Sequence, residues 1–378
     1  MATFDVSKGW VILIPAKMPT AAQVAEELSH CIDRLRCQAE LSQKPPLVQD
    51  TAEKPPDDAV PIILLNVNTD RQEGNGFSWR IGKDRIEIYG ESGRGLCNGV
   101  FDFLGTLGFR WPAPDREVLP PLDKSRPQEY TPKEADAHHP SGQEGVRRRL
   151  VFNRKDSPKR WESLVLWAAR NKIDTLVFSL QSRIFHDRSL KKRGFFGKGS
   201  GKHGRYRESL CALAQKYELT IEGGGWDLSL LVSRRYFLLN QEIFRMDSGT
   251  RKKKYNFCPT APATIKLLTK KAEDIFRANP EILVYHFWPD RGHEKAWCSC
   301  PTCRAFTLEE QNRIAVNAVA DSLAKLNPCG RISYYENSIE KENIAPRSNM
   351  FKVTHLPGEP GAEATGWLLR ETAVQTST

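Results

Sequence analysis

No stretch of the 378 residues approaches the roughly 20 consecutive apolar residues that a membrane-spanning helix needs. The first residues, Met1-Ala2-Thr3-Phe4-Asp5, lack the basic and apolar regions of a secretory signal, so a cytoplasmic location is expected. The 9 cysteines are thinly spread and odd in number, which argues against a secreted disulfide framework and for reduced thiols or metal ligands. The paired C-x2-C…C-x2-C spacing of a strong zinc signature is missing. A Gly/Lys-rich run at residues 197–202 lacks the G-x4-G-K-[ST] order of a phosphate-binding loop, which rejects nucleotide binding.

What is present begins with charge. The net charge of +10 is uneven, because the segment from Arg147 to Arg207 holds 18 Lys and Arg against 4 Asp and Glu. Such a segment raises nucleic-acid binding as a reading. No RNP aromatics, GXXG clamp or finger spacing accompanies it, so a solvated basic face is the plainer reading.

Periodicity predicts two regions. In the first, Trp10-Val11-Ile12-Leu13-Ile14-Pro15 reads as a buried strand, and Thr20 as the cap of a helix with Ala21, Val24, Leu28, Cys31, Ile32 and Leu35 on one face. Residues 38–58 read as a polar loop, Ile62-Ile63-Leu64-Leu65 as a strand, and residues 77–89 as a hairpin around Gly82. A helix then carries Leu96, Val100, Phe103 and Leu107 inward and stops at Gly108. Residues 112–142 are rich in proline and charge, without periodicity.

In the second region strands and helices alternate. Strands are expected near residues 150–152, 175–180, 219–221, 282–287, 331–335 and 349–353, with helices between, one opened by a Thr307-x-x-Glu310 capping box. Repeated βα units imply a parallel sheet, open or closed into a barrel, with chemistry at the C-terminal ends of its strands.

Several motifs then resemble known proteins. Ile86-Glu87-Ile88-Tyr89-Gly90, Arg94-Gly95-Leu96, Gly99-Val100-Phe101-Asp102-Phe103-Leu104 and Leu107-Gly108-Phe109-Arg110-Trp111-Pro112-Ala113-Pro114 resemble the end of the small α/β domain of hexosaminidase- and α-glucuronidase-type glycosidases. Arg235-Tyr236-Phe237, Glu242-Ile243-Phe244, Asn256-Phe257-Cys258-Pro259-Thr260, Pro289-Asp290 and Cys298-Ser299-Cys300-Pro301-Thr302-Cys303 resemble the glycosidase-related family known as domain of unknown function 4838. The resemblance implies an α/β chain. A hexosaminidase-type α/β domain would span residues 1–118, a Pro-rich linker 119–145, an incomplete TIM-like (β/α) barrel 146–357 and an unrelated tail 358–378. It also implies cleavage beside N-acetylhexosamine in glycans. Gly225-Trp226 stands where the family tends to carry a histidine after its glycine pair, and Asn240-Gln241 where it tends to carry His-Pro. With five or six strands in place of eight, the barrel is expected to be truncated and to expose strand edges.

The stretch HFWPDRGHEKAWCSCPTC, residues 286–303, concentrates the chemistry. Glycoside hydrolysis uses two carboxylates, or one acid with the substrate's own acetamido oxygen as nucleophile and a second carboxylate to orient it. Asp290, after the fourth strand of this region, and Glu336, after the fifth, are the expected catalytic pair, with Glu294 in reserve; capping and surface ion pairing are the plainer roles for each. Trp226, Trp288 and Trp297, with Asp227, are the candidate sugar-binding residues, although buried tryptophans often only fill space. His286 reads as a hydrogen-bonded core residue. Cys298, Cys300 and Cys303 offer three soft ligands, which Cys258 or His293 would complete for a structural zinc; a packed thiol cluster or a disulfide are the alternatives. No cofactor is expected in the chemistry. An inactive, glycan-binding remnant of the fold is the alternative function, and nucleic-acid binding the second alternative.

Overall fold

The structure is a computed structural model that describes residues 3–15, 18–42, 46–50, 62–68, 74–83, 85–140, 148–152, 158–180, 202–290, 296–335, 343–355 and 367–372. Its N-terminal layer is a six-stranded sheet. The strand order is Asp136–His139, Phe77–Ile81, Arg85–Gly90, Ile62–Val67, Val11–Ile14 and Leu47–Asp50. The last four pair in parallel, and the first two add antiparallel at one edge. Helices α1 (Pro19–Gln38) and α2 (Gly93–Leu107) pack side by side against this sheet, burying the two predicted apolar faces. Gly108, at φ 115°, ends α2 in the left-handed conformation that glycine adopts without strain.

Three local expectations change. Met18, not Thr20, precedes the first turn of α1, and the Thr20 hydroxyl instead donates to Glu218. Residues 47–50, inside the stretch read as a loop, form one edge of the sheet. Residues 136–139, inside the stretch read as a linker, form the other edge. Four-residue edge strands carry too little alternation to announce themselves; the neighbouring strand's free N–H and C=O groups define them.

The second region is a barrel. Its first six strands, Arg148–Val151, Thr175–Phe178, Thr220–Gly225, Val284–Phe287, Arg331–Tyr335 and Met350–His355, pair in parallel in chain order. Helices α3 (Pro158–Arg170), α4 (Lys202–Lys216), α5 (Pro262–Ala278) and α6 (Leu308–Leu326) intervene. The α6 capping box forms as expected. The barrel is thus an incomplete TIM type, six parallel strands in place of eight, but its edges are not left open. Trp367–Thr372, in the tail, runs antiparallel between the sixth and first strands and closes the ring. The expected exposed edges are therefore paired along this strand.

Period-two alternation sorts the barrel residues. Leu150, Leu176, Phe178, Tyr285, Phe287, Ile332 and Met350 join the large core shared with the helices. Val151, Val177, Trp288, Tyr335, Phe351 and Val353 fill the lumen as a separate cluster. Gly224 belongs to the inward set and must be glycine: its φ is 115°, and a Cβ there would meet the His286 carbonyl oxygen at 2.0 Å.

The two layers meet at the bottom of the barrel. Glu218, which follows α4, accepts hydrogen bonds from the Arg94 backbone N–H at 3.0 Å and the Thr20 hydroxyl at 2.8 Å. Its carboxylate therefore sits at the N-terminus of α2, where the helix dipole favours an anion. Arg94 in turn donates to the Ile173 carbonyl at 2.9 Å, and Trp167 Nε1 to the Trp111 carbonyl at 2.8 Å. Because Glu218 is partly exposed, Glu218→Ala is expected to cost only about 1–2 kcal/mol in a urea unfolding curve. An unchanged midpoint would show that this contact does not tie the layers.

Candidate active site at the barrel mouth

The lumen is built from the floor upward. Arg149 on the first strand, Glu222 on the third, His286 on the fourth and Ser333 on the fifth form one fully buried polar layer. Arg149 donates to Glu222 through Nε at 2.7 Å and Nη2 at 3.2 Å. His286 Nε2 lies 2.6 Å from Glu222 Oε2, and its Nδ1 contacts the Ser333 hydroxyl at 2.5 Å. Burial pushes the Glu222 carboxyl up, but the Arg149 charge and the His286 bond outweigh it and bring the carboxyl down to about 2. His286 is the core residue it was expected to be. Arg149 and Ser333 were not singled out from sequence, and Glu222 counted only as one of the residues at the end of the third strand, where chemistry was expected. Arg149 and Glu222 each lie within a predicted βα unit next to apolar strand residues, and a charge buried there is expensive unless paired.

Trp288 lies on this layer, donating from Nε1 to the Ser333 hydroxyl at 2.8 Å. Trp226 is half-buried above it, 5.1 Å between ring centroids from both Trp288 and Tyr335. Of the three candidate tryptophans, Trp226 alone keeps open surface. Trp288 is wholly buried as a lumen plug, and Trp297 is 6% exposed, packed edge-on against Phe257. Both fill space. Asp227 is also turned inward: it is 3% exposed and accepts from the Ser179 hydroxyl at 2.8 Å and the Leu180 N–H at 2.8 Å. It ties the ends of the second and third strands together, in place of the sugar contact expected of it.

Asp290 lies three residues beyond the fourth strand. Its side chain keeps 27% exposure and faces Arg234 at 3.5 Å, and its backbone N–H donates to the Asn256 side-chain oxygen at 3.0 Å. Arg234 was not among the residues read from sequence, and Asn256 entered only as part of the Asn256–Thr260 motif, with no role given; both come from the long excursion between the third strand and α5. Glu336, Glu294 and His293 lie outside the described residues, as do residues 181–201, which hold most of the basic loop.

Beside this mouth the four expected cysteines converge. The sulfurs of Cys258, Cys298, Cys300 and Cys303 lie within 4.8 Å of one another, all buried and all free thiols. Their donor set and spacing are suited to a metal ion.

No protein-family model and no curated protein matches the chain. The narrower resemblance to domain of unknown function 4838 therefore rests on its motifs. Solved structures do match. A GH20 exo-β-N-acetylglucosaminidase from Vibrio harveyi, in complex with N-acetylglucosamine, is 16% identical with a TM-score of 0.54, over 94% of this chain and 55% of that one. A GH20 β-N-acetylhexosaminidase from Streptomyces coelicolor is 12% identical with a TM-score of 0.55, over 93% and 66%. An N-acetyl-β-hexosaminidase from Streptomyces plicatus is 14% identical with a TM-score of 0.54, over 92% and 65%. The chain spans between about half and two thirds of the length of these enzymes. In fold, an α/β layer followed by a partial TIM-type barrel, it is similar to the GH20 β-N-acetylhexosaminidases.

Proposed function

We propose that this protein is a glycoside hydrolase acting on N-acetylhexosamine-containing glycans at the mouth of the barrel. The observation that carries the reading is Asp290. It is a partly exposed carboxylate beyond the C-terminal end of the fourth strand, braced by Arg234 and Asn256. The half-open indole of Trp226 stands after the adjacent third strand. In this reading Trp226 stacks on the sugar ring. Asp290 and Glu336, the residue that follows Tyr335, divide the work of orienting the acetamido group and protonating the leaving oxygen. The substrate's acetamido oxygen serves as nucleophile, so the chemistry needs no cofactor. A structural zinc on the cysteines lies outside the reaction. Release of the chromophore from a nitrophenyl N-acetylglucosaminide by the purified chain tests the reading, and no turnover with any N-acetylhexosaminide would reject it.

A non-catalytic glycan-binding role is the second reading, favoured by closure of the ring on seven strands with the last antiparallel. Calorimetry that finds sugar binding without turnover separates the two. In either case Trp226→Ala is expected to weaken binding of an N-acetylglucosamine oligomer roughly tenfold, the loss of about 1.4 kcal/mol of ring stacking. Unchanged affinity would remove Trp226 from the site.

A further inference from the structure

We infer that Cys258, Cys298, Cys300 and Cys303 bind one zinc ion in a closed tetrathiolate site, and that this ion holds in place the chain segments that brace Asp290. All four sulfurs lie within 4.8 Å of one another, and two of the six pairs already have tetrahedral spacing. Zinc–sulfur bonds of about 2.3 Å at tetrahedral angles put neighbouring sulfurs about 3.8 Å apart. Cys258 Sγ lies 3.8 Å from Cys300 Sγ and 3.7 Å from Cys303 Sγ. The surroundings suit thiolates. The Met246 N–H donates to Cys298 Sγ at 3.2 Å, the Cys300 N–H to the same sulfur at 3.5 Å, and Arg251 Nη1 approaches it at 3.8 Å. These donors offset the two negative charges that four thiolates leave around a divalent ion. Four protein ligands leave no open position, which makes the site structural rather than catalytic.

A second observation asks for a staple. Between the third strand and α5 the chain has only short 3-10 turns and two-residue strand pairs, and residues 296–306 add one further turn. The cysteines form a cluster apart from the main core, with Met246 and Ala261 as its partly buried apolar neighbours among the described residues. Leu228, Ile243, Phe244 and Phe257 anchor this excursion in the main core, and a bound metal would add a constraint at its cysteine end, where that core does not reach. The constraint reaches the barrel mouth through a short path. Cys258 is two residues from Asn256, whose backbone N–H donates to the Ala296 carbonyl at 3.2 Å and whose side chain holds the Asp290 N–H. Fastening Cys258 to Cys298, Cys300 and Cys303 therefore fastens Asn256 and, through it, Asp290. The metal assignment stands without the hydrolase reading; only the importance of Asp290 rests on that reading.

Elemental analysis of the full chain, purified reduced, is expected to find about one zinc per chain. Replacement by cobalt(II) is expected to give the intense visible bands of a tetrahedral thiolate site. Cys258→Ser and Cys298→Ser should lower zinc content at least tenfold, while Cys329→Ser, at an exposed position, should keep it. Hydrogen exchange compared before and after zinc removal should show faster exchange at the Asp290 amide and across residues 243–261, with the first two barrel strands unchanged. Three results would overturn the inference: a chain that takes up no zinc or cobalt when supplied with either, iron in place of zinc, or Asp290 exchange that is the same with and without the metal. None of these readouts needs turnover, so absence of hydrolysis would reject the proposed function and leave the zinc site standing.

Discussion

Asp290→Asn is expected to lower hydrolysis of an N-acetylglucosaminide by about 10²–10⁴-fold, the usual worth of a positioned carboxylate. The substitution keeps the size of the side chain and leaves the backbone N–H on Asn256, so the thermal midpoint should barely move. The charge facing Arg234 is what disappears. Arg234 lies 3.5 Å from the carboxylate and is itself about one-third exposed, so losing this pair costs little stability. A large drop in rate with an unchanged melting curve would thus report chemistry and not unfolding. Full activity in the variant would remove Asp290 from the mechanism and, with it, the observation that carries the proposal.

The second large effect is expected deeper in the barrel. Glu222→Gln should destabilise the fold by about 3–5 kcal/mol, because it removes the carboxylate that Arg149 grips while the guanidinium stays 1% exposed. The wild type should show the same bond through pH. The Glu222 carboxyl is lowered from 4.5 to about 2 in the folded chain, so its contribution is fully present above pH 4.5. It is lost as pH falls from 4.5 toward 2, because the unfolded chain takes up the proton first. Urea midpoints measured across that window should fall more steeply in the wild type than in Glu222→Gln. The double variant Arg149→Met/Glu222→Gln should recover part of the single variant's loss, since the stranded charge goes with its partner. Equal acid sensitivity in wild type and Glu222→Gln would show that this ion pair does not govern the barrel's stability.

The order of the βα units could be read along the chain because each unit is locally encoded. Helical spacing of Trp161, Leu164, Val165 and Ala168, or the Thr307 and Glu310 capping box, acts within one or two turns of backbone. The resemblance of residues 86–114 and 235–303 to glycosidase motifs added the barrel to that pattern. The cysteine spacing also pointed at its own cluster. Which tryptophan keeps an open face could not be read the same way. Trp288 and Trp226 both follow strand ends, yet one enters the lumen because its indole N–H finds Ser333 and the other stays above it.

The sequence by itself determined the kinds of element, their order, and the short loop that gathers Asp290 near three cysteines, since hydrophobic period, caps and spacing are properties of neighbouring residues. The tertiary structure alone decided how the ring closes, which charge meets which, and what stands beside Asp290. The tail strand at residues 367–372 pairs with partners at 148–151 and 352–355, and Arg149 finds Glu222 73 residues away. Contacts across such separations depend on strand register and barrel curvature, which no local pattern of residue types encodes.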